Sequence, residues 1–298
     1  MEAQFKTFGQ SQNENLSGFI KKLVEKFEPK QIYRFGKIMV LNSRDGCFIN
    51  NRREETYHHF LLMVTESATR IEHQVQDFSN HSYHFGKVTI LVHGRDAIQE
   101  AVRANSRFFI TVLNRGQLIY NKDGMLQTDG VADYIPTQAS VKAQKHYNHR
   151  LPLATGFFAS AKECLANQHY NLSAFMAHQV VEQCGIALIR VHLAYRCDIH
   201  NIYRQLNICD SFTSAPSKLL LSGKKDDKRL MEIMVKSYSS ARYKDDFKVC
   251  QADAEQLVLK AFKFVKLTEV LCKQKIEKLA LEAVAYKQNK KESEAEND

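Results

Sequence analysis

Five side chains concentrate the chemistry of this 298-residue chain: His178, Glu182, His200, Arg242 and Tyr243. His178 and Glu182 stand four positions apart in YNLSAFMAHQVVEQCGIALI (170–189), so on a helix they stack on one side, and Gln179 and Gln183 repeat the spacing beside them. Ala174, Phe175, Val181, Ile186, Leu188 and Ile189 around them are apolar, which predicts a mostly buried helix with polar groups set into its surface. Buried polar groups need partners. The complementary groups available are His200, Arg242 and Tyr243, and two readings follow: a hydrogen-bonded network that fixes helix register, or a polar cleft. On the first, Arg242 bonds to the polar face, and Arg242→Ala costs about 1–3 kcal/mol.

A second candidate pair, His58 and His59, lies in YHHFLLMV (57–64). Neighbours on a strand point to opposite faces, so the two cannot grip one metal ion, and they read as imidazoles at a strand edge. The seven cysteines are scattered and odd in number, with no close pair. That pattern offers neither a disulfide framework nor a paired-thiolate metal site, and they read as small buried apolar residues. No metal and no cofactor is expected.

The elements that must position these groups fall into two kinds. Apolar residues at Leu16, Phe19, Ile20, Leu23, Val24 and Phe27 recur at helical spacing until Pro29. QIYRF (31–35), FLLMV (60–64) and VTILV (88–92) read as strands, with the polar 42–55 segment a loop or hairpin insertion. A helix is expected over 96–105, then strands at 108–113 and 118–120 around Arg115-Gly116. Beyond Asp129-Gly130 and Pro136 the period becomes helical almost throughout, with helices expected over 147–167, 170–195, 199–210, 228–241 and 252–286. Segment 212–228 is the longest loop. The closing KQNKKESEAEND lacks an apolar face and is expected to fray. The fold class is thus α+β with two domains: a small mixed α/β domain over 1–140, an all-α bundle over 146–280, and a charged flexible tail over 281–298.

The helical half resembles the HEPN domain, a bundle often found beside a nucleotidyltransferase. The match rests on residues 170–189, on DIHNIYRQL (198–206) and on SSARYKDDF (239–247), which correspond to the family's long second helix with its His-Gln and Glu, its helix start, and its Ala-Arg-Tyr. The resemblance implies that a cleft lined by His178, Glu182, His200, Arg242 and Tyr243 takes a nucleotide phosphate or an RNA backbone, and that the bundles pair. Apolar residues on more than one face of the last helix, Phe262, Phe264, Val265 and Leu267, agree with a homodimer. Many members of the family cut RNA with an Arg-x4-6-His motif. No Arg after residue 146 has that spacing, the nearest being Arg196 and His200 with three residues between them.

The N-terminal half resembles, more loosely, small nucleotidyltransferases. In those the first strand ends in a Gly-Ser turn, and three carboxylates on later strands hold two magnesium ions. Here IYRFG (32–36) keeps the glycine but continues with Lys37 and Ile38, the carboxylate positions align with His58 and Phe60, and the third strand offers Thr89. Magnesium takes oxygen ligands, which Phe cannot supply. The resemblance therefore implies a pseudoenzyme.

A formal charge of +9 and a pI near 9.1 suit a phosphate-bearing partner, although basic residues are spread over both halves. No run of about 20 apolar residues and no basic-then-apolar leader is read, so the expected location is cytoplasmic, with no membrane partner. The expected function is a non-catalytic nucleotide- or RNA-binding regulatory protein. The alternative is a HEPN-type, toxin-like ribonuclease using His200 with Arg196 or Arg242.

Overall fold

The computed structural model describes residues 7–47, 49–67, 70–124 and 131–295, and the chain divides into two compact units, Met1–Tyr134 and Ile135–Asp298. The expected change of grammar at Asp129-Gly130 lies outside the described residues.

The first unit is built on a mixed sheet of order β3-β2-β1-β4, with β1 Gln31–Gly46, β2 Ile49–Thr65, β3 Gly86–Gly94 and β4 Gln117–Asn121. β1 pairs antiparallel with β2 and β4, and β2 runs parallel to β3. The polar 42–55 segment is the far end of the β1–β2 hairpin, with Asn42 opposite Glu54 and Ser43 opposite Arg53. Central strand β2 is covered on both faces. Leu61 and Met63 join Ile32, Val88 and Ile90 under helices α1 Thr7–Phe27 and α2 Glu72–Ser82, which contribute Leu16, Phe19, Leu23 and Val75. Phe60 and Leu62 point the other way and are also fully buried. Burial from two sides is why this strand reads as an unbroken apolar run rather than an alternation.

Two expectations for this unit change. The helix expected over 96–105 is α3 Arg95–Arg103, but residues 108–113 form part of a further helix, α4 Arg107–Arg115, not a strand. Phe108, Phe109, Val112 and Leu113 also satisfy helical spacing, and a short apolar run does not separate the two periods. Packing decides: the Phe108 ring lies edge-on to Phe35 on β1 at 5.5 Å, and Phe109 lies edge-on to His93 at 5.1 Å. Helix α2 is also additional. Its buried Gln76 donates from Nε2 to the Val88 carbonyl at 2.8 Å and accepts from the Ile90 N–H at 3.0 Å, so a side-chain amide serves the free edge of β3.

The second unit is helical, with α5 Ala139–Ala166, α6 Tyr170–Leu193, α7 Ile202–Asp210, α8 Ala215–Leu220, α9 Lys225–Tyr243 and α10 Gln251–Ala295, entered through a short turn at Pro136–Gln138. Helix α8 lies inside the expected 212–228 loop. Helix α6 is the core: residues 180–189 are buried without a break. By length and apolar composition α6 could cross a membrane, contrary to the expectation that no stretch approaches that limit, and 78% of its most apolar window is buried inside the unit. The tail is also corrected, because α10 stays helical to Ala295. Glu, Lys, Gln and Ala are strong helix formers, and the Lys290–Glu294 pair at 3.6 Å supports the last turns without an apolar face. Phe264 and Val265 of α10 are buried, while Leu259, Phe262 and Val270 remain exposed.

Candidate functional site

Helix α6 carries His178 and Glu182 into the interior, at 3% and 4% exposure. His200 reaches them from the segment after α6. Ala194 adopts a left-handed conformation with φ 58°, which ends the helix. From there burial alternates: Tyr195, Cys197 and Ile199 turn inward, and Arg196, Asp198 and His200 turn outward. Asn201 then caps α7 by accepting the Arg204 N–H at 3.1 Å, and buried Gln205 donates to the Ile199 carbonyl at 2.7 Å. The residue on either side of His200 is thereby fixed.

The His200 Nδ1–H donates to Glu182 Oε1 at 2.8 Å, because an ionised carboxylate can only accept. The imidazole itself is 70% exposed while the carboxylate is 5% exposed, so a buried acid holds a ring whose Nε2 is left for solvent or a ligand. Glu182 Oε2 has no hydrogen-bond partner and sits 3.8 Å from His178 Nδ1. Burial pushes His178 down to about 4, helped by neighbouring Arg242 and His200, so it is neutral at physiological pH.

Arg242, in the last turn of α9, does not hydrogen-bond to this polar face, which corrects the network expected of it. It is exposed, donates from Nε to the Tyr238 carbonyl at 2.7 Å, and lies over the rings of Tyr238 (4.6 Å), Tyr243 (4.9 Å) and Phe175 (5.4 Å). The Tyr238 ring also packs on His178 at 5.0 Å. Tyr238 was not singled out from sequence, although its place four residues before Arg242 puts it on the same side of the helix. Arg242→Ala should therefore cost less than about 1 kcal/mol in chemical denaturation, since only exposed cation–π contacts and one exposed hydrogen bond go. A loss of 2 kcal/mol or more would reinstate the buried network. Tyr243 is 76% exposed, and Arg196 pairs with Asp198 at 3.2 Å on the outer surface. These groups make a site, the notch, in which a buried carboxylate holds an exposed imidazole, with an exposed guanidinium and aromatic rings beside buried His178.

In the first unit the positions aligned with metal carboxylates are filled differently. His58 and Thr89 hydrogen-bond to each other at 2.8 Å, and the Phe60 ring packs on His58 at 4.2 Å and on Phe35 at 6.0 Å. A Cβ on Gly36 would meet Phe60 Cδ2 at 3.1 Å, so the glycine that would face a phosphate faces a phenyl ring. These residues do not fit a magnesium pair. His58 and His59 lie on the central strand, not a strand edge, and burial pushes both down to about 4. Among the described residues no group of three or more His, Cys, Asp or Glu is arranged to hold a metal.

Residues 148–271 match the family model of the HEPN domain, so the second unit carries a HEPN domain. A nucleotidyltransferase-like protein from Exiguobacterium sibiricum is similar in structure at 11% identity and a TM-score of 0.23, over 84% of this chain and 78% of that one. Among curated proteins none matches the chain.

Proposed function

We propose that the protein is a non-catalytic nucleotide- or RNA-binding module whose HEPN domain takes a phosphate at the notch of His178, Glu182, His200, Arg242 and Tyr243, and whose first unit is a nucleotidyltransferase-like pseudoenzyme. The observation that carries this reading is the presence together of an exposed imidazole, anchored on buried Glu182, and an exposed guanidinium placed over aromatic rings. Both are preset before a ligand arrives, which lowers the ordering cost of binding. Arg offers a planar fork for a phosphate, and Tyr243 offers a ring for a base.

A thermal-shift panel of ATP, GTP, AMP, GMP and short RNAs tests it, because a ligand that binds only the folded state raises the melting temperature. Arg242→Ala and His200→Ala should each weaken the best ligand about tenfold, roughly 1.4 kcal/mol. No shift from any member of the panel would end the reading. For the first unit the expected result is no magnesium-dependent transfer from ATP, GTP, CTP or UTP to protein or RNA. Incorporation of label from any of the four would show that the His58, Phe60 and Thr89 substitutions have not removed the chemistry.

One observation favours a second reading, RNA cleavage. A carboxylate that fixes Nδ1 of an imidazole and leaves Nε2 outward is the arrangement that prepares a general base. Against it, Arg196 is held by Asp198, and no Arg after residue 146 stands at the Arg-x4-6-His spacing. Cleavage of a labelled RNA that disappears in His200→Ala would move the protein to that class. We also propose that the helical units pair through the exposed apolar residues Leu259, Phe262 and Val270 of α10. Sedimentation should give a dimer at micromolar concentration, and a monomer for Phe262→Asp.

A further inference from the structure

We infer that a basic face on α5 and α6, formed by Lys142, Lys145, His149, Arg150 and Arg190, binds the phosphates of a polynucleotide strand outside the notch. The inference rests on the notch reading in one respect: it takes the strand to pass from that notch onto this face.

The placement comes from helix geometry and one hydrogen bond. Lys142, Lys145 and His149 recur at three- and four-residue spacing on α5, as do His146 and Arg150 beside them. Arg150 Nη1 donates to Gln183 Oε1 at 2.7 Å, which joins this face of α5 to the α6 residue next to Glu182. Arg190 stands eight residues beyond Glu182 on α6, about 12 Å along the axis at 1.5 Å per residue.

The charge of this face is not compensated within the unit. Elsewhere on the unit cations meet carboxylates: Arg229 with Asp226 and Asp253, Lys260 with Asp227, Lys273 with Glu269. Among the described residues no carboxylate comes within ion-pair distance of Lys142, Lys145, His149 or Arg190. Asp198 acts on Arg190 from further away and is bound by Arg196. Half-buried His146 is pushed down by burial and then by its neighbours Arg190, Lys145, Arg150 and His149. Concentrating like charge this way opposes folding, and a bound polyanion removes the cost.

A mononucleotide is too small to engage both the notch and Arg190. A strand stacked at about 3.4 Å per nucleotide covers the 12 Å between them in roughly four steps. Guanidinium and imidazole groups also stack on bases. Val141 and Leu153 are exposed beside these cations, so a lipid surface is the competitor that the vesicle measurement below addresses.

The test uses the full chain, a fluorescently labelled 12-nucleotide RNA, and the exposed double variant Lys142→Glu/Lys145→Glu, with Lys142→Ala/Lys145→Ala as a milder companion should the charge reversal disturb folding. The charge reversal is expected to weaken RNA binding at least tenfold and the alanine pair several-fold. Each should reduce the slope of log affinity against log salt by about 1.4, two phosphates at 0.7 each. Affinity for ATP, measured by calorimetry, should not change. RNA affinity and salt slope equal to the parent's in both variants would overturn the inference, as would tighter binding of the parent to phosphatidylserine vesicles than to RNA. The two readings separate cleanly. A parent that binds ATP through His200 but no RNA keeps the notch and loses this face. A parent whose RNA binding depends on Lys142 and Lys145 but not on His200 keeps this face and loses the notch.

Discussion

Acidification from pH 6.5 to 4 is expected to unfold the sheet-containing unit before the helical one. His58 and His59 are buried on opposite faces of β2, and each has its pKa lowered from 6.5 to about 4, chiefly by burial and then by nearby positive charge, Lys87 for His58 and Arg34 for His59. The unfolded chain therefore binds two protons between pH 6.5 and 4 that the folded unit refuses. Stability rises with pH wherever the unfolded state holds more protons, so the contribution is complete above 6.5 and is lost as pH falls toward 4. At 1.36 kcal/mol per unit the loss is about 3 kcal/mol for each histidine, roughly 6 together, comparable with the whole stability of a small unit. The helical unit carries two lowered histidines, the deeply buried His178, also at about 4, and the half-buried His146, while its Asp227, lowered to about 2 by Lys260 and Ser222, keeps its pairing until lower pH. Hydrogen exchange at pH 7 and pH 4.5 reads the two units separately. Peptides from β2 should lose protection at the lower pH while those from α6 retain most of it, and His59→Phe should recover about half of the loss. Equal protection of β2 at both values would mean that the imidazoles are not buried in their neutral form.

The helical half was legible in outline because its signals are long. Helices of 19 residues or more, such as α6 and α9, repeat the 3.6 period often enough to stand out, and Tyr170, Ile202 and Gln251 start within three residues of the expected positions. The sheet unit was read less completely. Its α4 presents an apolar run that suits either period, and α2 hides in a polar stretch whose anchor is one glutamine amide serving a strand edge. The notch was half legible. The i,i+4 spacing of His178 and Glu182 placed both on α6, but nothing local says that His200 crosses 18 positions to meet Glu182, because that contact depends on a left-handed turn at Ala194 and an inward-outward alternation after it. Arg242 was expected to bond to the polar face of α6 and instead lies exposed over aromatic rings. Its type and position were readable, and its partners, rings on its own helix and on α6, were not.

Gly185→Val should cost the helical unit about 2–6 kcal/mol, a buried hydrogen bond at about 1–3 added to overpacking at about 1–3. Gly185 lies on α6 where Gln205 of α7 crosses it. A Cβ there would stand 2.5 Å from Gln205 Oε1 and 3.4 Å from its Cβ. The neighbour cannot simply swing aside: Gln205 is 1% exposed, and its Nε2 holds the Ile199 carbonyl at 2.7 Å. Moving it orphans a carbonyl next to His200, so the damage reaches the notch as well as the core. Gly185→Ala adds the same Cβ but gains about 1 kcal/mol of helix propensity, and should cost roughly 2. Urea denaturation of the three proteins measures the stabilities. In Gly185→Ala, which stays folded, the imidazole resonances of His200 should move toward those of a free histidine as its bond to Glu182 loosens. Adding Gln205→Ala to Gly185→Ala should recover part of the stability lost, since residues in contact do not act additively. It should not restore His200, because Ile199 still lacks its donor. Parental stability in Gly185→Val would show that α6 and α7 do not meet at this glycine, and the positioning of His200 would need another cause.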